Sequence, residues 1–202
     1  MMTKVSLENY LEQIKDALAQ VQITTNRKKL LKPAPVLEQL SQKLKGVKSG
    51  EKKIIFIGNG GSAAISGHMA EDYTKVGGMR AICFNDAPFL TCLGNDYSFE
   101  QIFEKAIGFQ ADRNDILVAI SSSGRSANIL NGVKAGRVKK CYTVTLSGFK
   151  PDNPLRHLGD LNIYLPTSSY GITELSHEII LHYLLDKIVS PSQRLSGKRA
   201  KT

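Results

Sequence analysis

The hydrophobic positions of this 202-residue chain fall into short continuous runs that alternate with stretches of helical spacing. Five apolar runs have the length and composition of buried β-strands: 53–57, 80–84, 116–121, 141–146 and 161–165. Apolar residues spaced for helices occur between most of them, over 63–75, 98–108, 126–136 and 173–190. Strands that alternate with helices indicate right-handed crossovers and a parallel sheet covered on both faces. We therefore predict an α/β three-layer sandwich with a five-stranded parallel sheet.

Helical spacing also predicts two helices ahead of the first strand, over 6–21 and 34–44, joined by a basic connection that contains a proline. No domain linker or internal repeat is visible. We predict a single domain over 1–190 with an N-terminal helical extension. The basic segment 191–202 is expected to be a disordered tail.

Two loops at the ends of predicted strands have the composition of phosphate-binding turns. The first reads Gly58-Asn59-Gly60-Gly61-Ser62, and the second reads Ser121-Ser122-Ser123-Gly124-Arg125-Ser126. Each precedes a predicted helix, whose N-terminus offers unpaired N–H groups and a positive dipole end to an anion. The alternatives are a tight turn without ligand and a serine-rich turn in which Ser126 only caps its helix. Both loops fall at the carboxyl edge of the sheet, where ligands of such folds bind.

The composition of the chain bears on where in the cell we expect the protein. No apolar run approaches the roughly 20 residues that span a bilayer, and residues 1–13 contain no apolar core of a signal peptide. Cys83, Cys92 and Cys141 lie inside apolar segments without metal-type spacing. We expect a soluble, cytoplasmic protein without a membrane partner, with reduced and buried thiols.

The net charge of +9 is concentrated in segments 27–29, 43–53, 137–140 and 194–201. Such clusters occur in nucleic-acid-binding proteins, but also as solvated helix ends. No RNP, zinc-finger or aromatic-stacking pattern accompanies them, so we favour solvated ends and expect no nucleic-acid partner. A positive field would also attract phosphorylated metabolites.

The chain resembles the sugar isomerase (SIS) domain family, whose fold is flavodoxin-like, and within it the phosphoheptose isomerases. The matching segments are GNGGSA at 58–63, HMAED at 68–72, CLGNDYSFEQIF at 92–103, SSSGRSANIL at 121–130 and ELSHEIILHYLLDKI at 174–188. The resemblance implies an aldose–ketose isomerase that converts sedoheptulose 7-phosphate to D-glycero-D-manno-heptose 7-phosphate in nucleotide-activated heptose biosynthesis. It also implies a homotetramer with its sites at subunit interfaces.

The resemblance assigns roles to individual residues. The sugar phosphate would be held by the loop hydroxyls and Gly60, and the sugar hydroxyls by Asn59, Asp96 and Glu174. The hydroxyls concerned are those of Ser62, Ser121, Ser122, Ser123 and Ser126.

An enediol mechanism needs a base, an acid and a group that stabilises the enediolate oxygen. By resemblance, Asp72 occupies the position of the catalytic glutamate and His182 that of the catalytic histidine. Two alternatives stay open: Glu71 as the base if the helix is rotated, and His182 as a histidine of the core. His177 and Glu178, on the same helix, are expected at the surface.

Some relatives bind zinc, and the equivalent residues here are His68, Asp72, Glu174 and His182. Aspartate replaces glutamate at one of these positions, and glutamate replaces glutamine at another. Two carboxylates and two imidazoles would neutralise a divalent cation, so we expect one zinc ion per subunit. The same departures could instead signal a shifted substrate or a lost activity.

Helix geometry constrains this ligand set. Glu174 and His182 are eight residues apart, about 12 Å along a helix axis, whereas zinc ligand atoms lie only about 2 Å from the metal. Either one of the two belongs to a neighbouring subunit or only one binds.

Two further classes of protein compete with the heptose isomerase. One is a non-catalytic SIS-domain binding protein of the type that associates with replication initiators, whose members lack the catalytic histidine. The other is an isomerase of a different sugar phosphate. The short connection at 76–79 replaces a longer, arginine-bearing segment of many phosphoheptose isomerases, and therefore weakens the assignment of the exact sugar.

Overall fold

The centre of the fold is a seven-stranded sheet, seen in a computed structural model that describes residues 6–26, 28–49 and 51–189. The strand order is β2-β1-β7-β6-β5-β3-β4. The strands are β1 (Gln22–Thr25), β2 (Leu30–Leu31), β3 (Ile54–Gly58), β4 (Ala81–Cys83), β5 (Ile116–Ser121), β6 (Tyr142–Ser147) and β7 (Leu161–Tyr164). The five strands from β3 to β7 are parallel, as predicted.

The predicted strand count is wrong by two. Strand β1 adds to the edge of β7 in antiparallel register, with Gln22 opposite Tyr164, and β2 pairs antiparallel with β1. The hydrophobic pattern predicts only a connection between helices over this segment. The expected tail at 191–202 lies outside the described residues.

Seven α-helices accompany the sheet in the described part of the chain. They are α1 (Leu7–Ala19), α2 (Pro33–Lys45), α3 (Gly61–Lys75), α4 (Ala87–Asp96), α5 (Ile102–Gln110), α6 (Ala127–Val138) and α7 (Tyr170–Ile188). Helix α4 was not predicted, and α5 begins four residues later than expected because a 3₁₀ turn at Phe99–Gln101 precedes it. None of the described helices is both long and apolar enough to cross a membrane.

Two hydrophobic clusters, one on each face of the sheet, confirm the three layers. On one face, Phe56 and Val118 pack with residues of α2, α3 and α7 such as Met69. On the other face, Ile57 and Leu117 pack with residues of α5 and α6. Both β3 and β5 are buried along their whole length, as expected for central strands of a parallel sheet.

The cysteine expectation is only partly met. Cys141 is buried, but Cys83 is half-buried and Cys92 is exposed. All three are free thiols.

Candidate active site

The two predicted phosphate loops face one another across a single cavity of about 260 Å³. We call it the serine cavity. It lies at the carboxyl edge of the sheet because β3 and β5 are neighbours and end together, with the last residue of β3, Gly58, opposite Ile120, the next-to-last residue of β5. Its lining consists of Asn59, Gly60, Gly61, Ser62, Ile120, Ser121, Ser122, Ser123, Ser126, Tyr170 and Glu174.

Glycines shape the first loop. Gly60 has a φ of 53°, in the left-handed region that side chains rarely adopt. At Gly61, a Cβ atom would lie 2.5 Å from Oε2 of Glu174, so only glycine lets this carboxylate rest on the first turn of α3. Glu174 therefore reaches the serine cavity from α7.

The second loop is built around Gly124, whose φ is 63° and whose Cβ position is filled by the Asn153 side chain. Ser126 precedes α6 but makes no capping hydrogen bond. Its hydroxyl instead accepts from the Ser121 hydroxyl at 3.4 Å. The interpretation of Ser126 as a mere helix cap is therefore not supported by this geometry. The hydroxyl of Ser122 is buried and has no hydrogen-bond partner among the described residues, although Ser122 lines the cavity.

Asn59 is held by a residue that the sequence analysis did not single out. Its amide exchanges two hydrogen bonds with the amide of Asn128, at 2.8 and 3.0 Å. Asn128 is buried in the first turn of α6 and also accepts from the N–H of Ile129. The pair ties the two loops together across the cavity. The residue lies within the SSSGRSANIL segment, so the resemblance could have found it.

A second group of chemistry-bearing side chains lies further along α3 and α7. We call His68, Asp72 and His182 the imidazole–carboxylate cluster. Oδ2 of Asp72 is 3.5 Å from Nε2 of His68 and 3.9 Å from Nδ1 of His182. The two imidazole rings are 5.2 Å apart between centroids. All three side chains are partly exposed, so a ligand can reach them.

The donor set of this cluster fits a metal ion. One ligand atom from each residue lies within 4.8 Å of the others. Two imidazole nitrogens and one carboxylate oxygen are the donors of many catalytic zinc sites, which leave a fourth position open. Glu174 does not belong to this group; its carboxylate lies at Gly61 instead.

A buried tyrosine fixes the position of the cluster. Tyr73 follows Asp72 on α3 and is fully buried, and its hydroxyl donates to the carbonyl of Leu181 at 2.9 Å. Leu181 in turn precedes His182 on α7. Burial raises the pKa of Tyr73, so its hydroxyl stays a donor. In the sequence, Tyr73 carries no signal beyond an apolar helical position, so its role could not be predicted.

The remaining predicted residues lie elsewhere. Asp96 ends α4, exposed, where it accepts from the side chains of Asn95 and Cys92 and does not line the serine cavity. Glu71 points to solvent and pairs with Lys75 at 4.0 Å. His177 was expected at the surface and is instead fully buried, because α7 packs against α1, α2 and α3 and its inner face joins the hydrophobic cluster of the sheet. Glu178 is half-buried.

Comparisons with known proteins agree with this architecture. The family model "SIS domain" matches residues 9–148. The chain is 31% identical to the phosphoheptose isomerase of Histophilus somni over 190 residues, which cover 87% of this chain and 93% of that protein. It is 30% identical to the enzyme of the same name from Fusobacterium nucleatum over 156 residues, 75% and 80% of the two chains. Among solved structures, the phosphoheptose isomerase of Neisseria gonorrhoeae superimposes with a TM-score of 0.75 at 25% identity, covering 90% and 93%.

The chain belongs to the SIS domain family, and within it to the phosphoheptose isomerases. It is an isomerase enzyme, as the resemblance implied.

Proposed function

We propose that the protein interconverts sedoheptulose 7-phosphate and D-glycero-D-manno-heptose 7-phosphate through an enediol, in the cytoplasm and for nucleotide-activated heptose biosynthesis. The observation that carries this proposal is the placement of the serine cavity and the imidazole–carboxylate cluster on the same two helices. From Ser62 to His68 the distance along α3 is about 9 Å. A seven-carbon sugar that carries a phosphate at one end spans a comparable length.

The serine cavity would bind the phosphate. Its hydroxyls and the free N–H groups at the start of α3 are neutral donors, which suit a dianion. Glu174 is the charged side chain in the lining. A carboxylate repels phosphate but accepts hydrogen bonds from sugar hydroxyls, so we assign Glu174 and Asn59 to the sugar side of the cavity.

Asp72 and His182 would move the protons. Oδ2 of Asp72 faces both imidazoles, which leaves Oδ1 to take the proton from C1 of the ketose and return it to C2. His182 would take the proton from the hydroxyl at O1 and deliver it to O2. The ketone at C2 thereby becomes a hydroxyl, and the hydroxyl at C1 becomes the aldehyde. Proton transfers of this kind contribute about 10²–10⁴-fold to rate.

His68, Asp72 and His182 would hold one zinc ion. When bound, such an ion polarises a carbonyl oxygen and stabilises the negative charge that develops on it. The three ligand atoms gathered in one chain support this assignment, and Glu174 is free to act on the substrate.

A second copy of the chain would cover the outer face of α7. This helix is apolar on nearly all sides, which is typical of a buried helix, yet Leu175, Ile179 and Tyr183 are 41–45% exposed. Leu7 and Leu11 of the adjacent α1 are also exposed. We propose a homotetramer in which these faces pair near His182, and in which Asp96 would reach substrate only from a neighbouring subunit.

The test is incubation of the purified protein with sedoheptulose 7-phosphate, followed by proton NMR. We expect Asp72→Asn and His182→Gln each to lower turnover at least about a hundredfold. Glu71→Gln is the matched control, since it makes the same carboxylate-to-amide change one residue away on the exposed side, and it should keep wild-type turnover. Loss of turnover in Glu71→Gln with full activity in Asp72→Asn would move the base to Glu71.

Metal content is measured on the same preparations, purified without chelator. About one zinc per chain is expected in the wild type, with loss of the metal in His68→Ala. Absence of a stoichiometric ion would remove zinc from the proposal. No turnover by the wild type would exclude this substrate and favour an isomerase of a different sugar phosphate.

A further inference from the structure

A second hollow, of about 410 Å³, lies at the opposite edge of the sheet from the serine cavity. It opens where β5 and β6 begin, beside the C-terminal end of α2. Lysines reach it from three separate segments of the chain: Lys43, Lys52 and Lys140. We call it the lysine pocket. Folding thus joins two of the basic segments that the sequence keeps about 90 residues apart.

The carboxylates around the lysine pocket keep their negative charge but form no ion pair with the three pocket lysines among the described residues. Lys53 is buried and pairs at 2.7 Å with both Asp112 and Asp115. Asp160 lines the pocket, but its Oδ2 accepts from the backbone N–H and the hydroxyl of Thr143, at 2.8 and 2.9 Å. These acids therefore have partners of their own.

The three pocket lysines, in contrast, form no ion pair with any other described residue. The ammonium group of Lys43 lies 4.3 Å from the centre of the Tyr142 ring. Lys52 is half-buried, and Lys140 projects from a backbone with a φ of 60°. Unpaired ammonium groups that converge on one hollow produce a positive potential that selects anions.

The remaining lining defines what kind of anion fits. Val47, Ile116 and Cys141 provide an apolar wall, and Tyr142 provides a half-buried ring. The ammonium group of a lysine is a point charge that suits phosphate. The flat ring of a nucleobase can stack on tyrosine. The volume lies in the range of small-molecule sites. An extended polyanion such as duplex DNA instead follows an open basic stripe.

From this arrangement we propose that the lysine pocket is a second ligand site, which binds a nucleoside di- or triphosphate with its phosphates on Lys52 and Lys140 and its base against Tyr142, on the ring face that Lys43 does not cover. The site is separate from the serine cavity and does not depend on the reaction proposed above.

The test uses a fluorescent N-methylanthraniloyl derivative of ATP as probe, titrated into the full-length protein at physiological ionic strength. We expect saturable binding with one probe per chain. The double variant Lys52→Gln/Lys140→Gln should weaken it by about tenfold or more, since two charge-assisted contacts are lost. Tyr142→Leu should weaken binding of the probe. The affinity for pyrophosphate, measured by its displacement of the probe, should stay unchanged.

Two controls separate this site from others. Lys105→Gln/Lys134→Gln removes the same charge from α5 and α6, away from the lysine pocket, and should bind the probe like the wild type. Ser123→Ala/Ser126→Ala alters the serine cavity and should also leave binding unchanged. Thermal unfolding checks that every variant folds.

The proposal is overturned by absence of saturable binding to the wild type, or by equal losses in the two lysine double variants. Loss of binding in the serine double variant would place the probe in the serine cavity and overturn it as well. Tighter binding of a short duplex DNA than of the probe, with the same dependence on Lys52 and Lys140, would refute a small-molecule site.

Discussion

Of the two histidines on α7, His177 and His182, His177 is the buried one. It is fully buried, and neither ring nitrogen makes a well-formed hydrogen bond within the described part of the chain. The backbone of Ser147 lies close enough to favour the charged form slightly. Burial dominates and lowers the pKa of His177 to about 4. The imidazole is therefore neutral at pH 7. It lies behind the serine cavity, because Ser147 pairs with Ser121 across β5 and β6.

This burial predicts an acid-sensitive fold. In the unfolded chain the pKa of a histidine is about 6.5, so between pH 6.5 and 4 the unfolded state binds a proton that the folded state does not. Stability from this group is complete above pH 6.5 and falls as the pH falls through that window. We expect His177 to lower the free energy of unfolding by about 2 kcal/mol between pH 7.5 and pH 5.

Urea denaturation at the two pH values measures this loss. The free energy of unfolding of His177→Gln should fall by about 2 kcal/mol less than that of the wild type between the two pH values, because all other titrating groups are shared. The same substitution at half-exposed His157 should leave most of the pH dependence in place. Identical drops in the wild type and His177→Gln would contradict the assignment.

Sequence reasoning could not separate His177 from His182. Both lie on a helix with apolar residues on nearly every side, so no polar face marks the direction of solvent. The resemblance identified His182, and only the packing of α7 shows that His177 points inward. Asn128 and Tyr73 were not predicted as site residues for a related reason. The residues to which they form hydrogen bonds lie 69 and 108 positions away in the chain.

At the scale of elements, the tie between α3 and α7 deserves a direct test. The hydroxyl of Tyr73 bonds Leu181, and each of these residues adjoins a member of the imidazole–carboxylate cluster. Removal of this hydroxyl in Tyr73→Phe should cost about 1 kcal/mol of stability. It should also loosen the spacing of Asp72 and His182, so we expect kcat to fall while KM for the sugar phosphate, which depends on the serine cavity, changes little.

Tyr164→Phe is the matched control. It removes an equivalent bond, from the Tyr164 hydroxyl on β7 to the carbonyl of Phe149 at 2.8 Å, which involves no residue of α3. It should lower stability without a selective fall in kcat. Steady-state kinetics on both variants decide the matter: equal effects on kcat would show that the Tyr73 bond has no positioning role.

Elements differ in how much local sequence reveals them. The strands β3 and β5 were predicted within a residue because a strand buried on both faces is a continuous apolar run. Strand β1 has four residues, QITT, and is defined by pairing with β7 some 138 residues along the chain. Such a non-local pairing leaves no periodic signal, so the strand was missed.

At the scale of the whole molecule, the lysine pocket and the exposed apolar residues of α7 lie in different places. The lysine pocket is at the amino edge of the sheet, whereas Leu175, Ile179 and Tyr183 form an apolar stripe on α7 beside His182. A self-complementary apolar stripe is the usual basis of a two-fold interface. The proposed assembly would therefore leave the lysine pocket open while it encloses the imidazole–carboxylate cluster.

Ile179→Glu tests this assembly. A carboxylate placed in an apolar interface without a partner is costly to desolvate, so the variant should be smaller than the wild type in light scattering coupled to size-exclusion chromatography. Val138→Glu is the control, because Val138 is 82% exposed on α6, far from the stripe in sequence and on another layer. It should keep the wild-type mass. Because the apolar stripe adjoins His182, the dissociated Ile179→Glu protein should also lose turnover of sedoheptulose 7-phosphate. A wild type that is monomeric and fully active would refute an interface at this site.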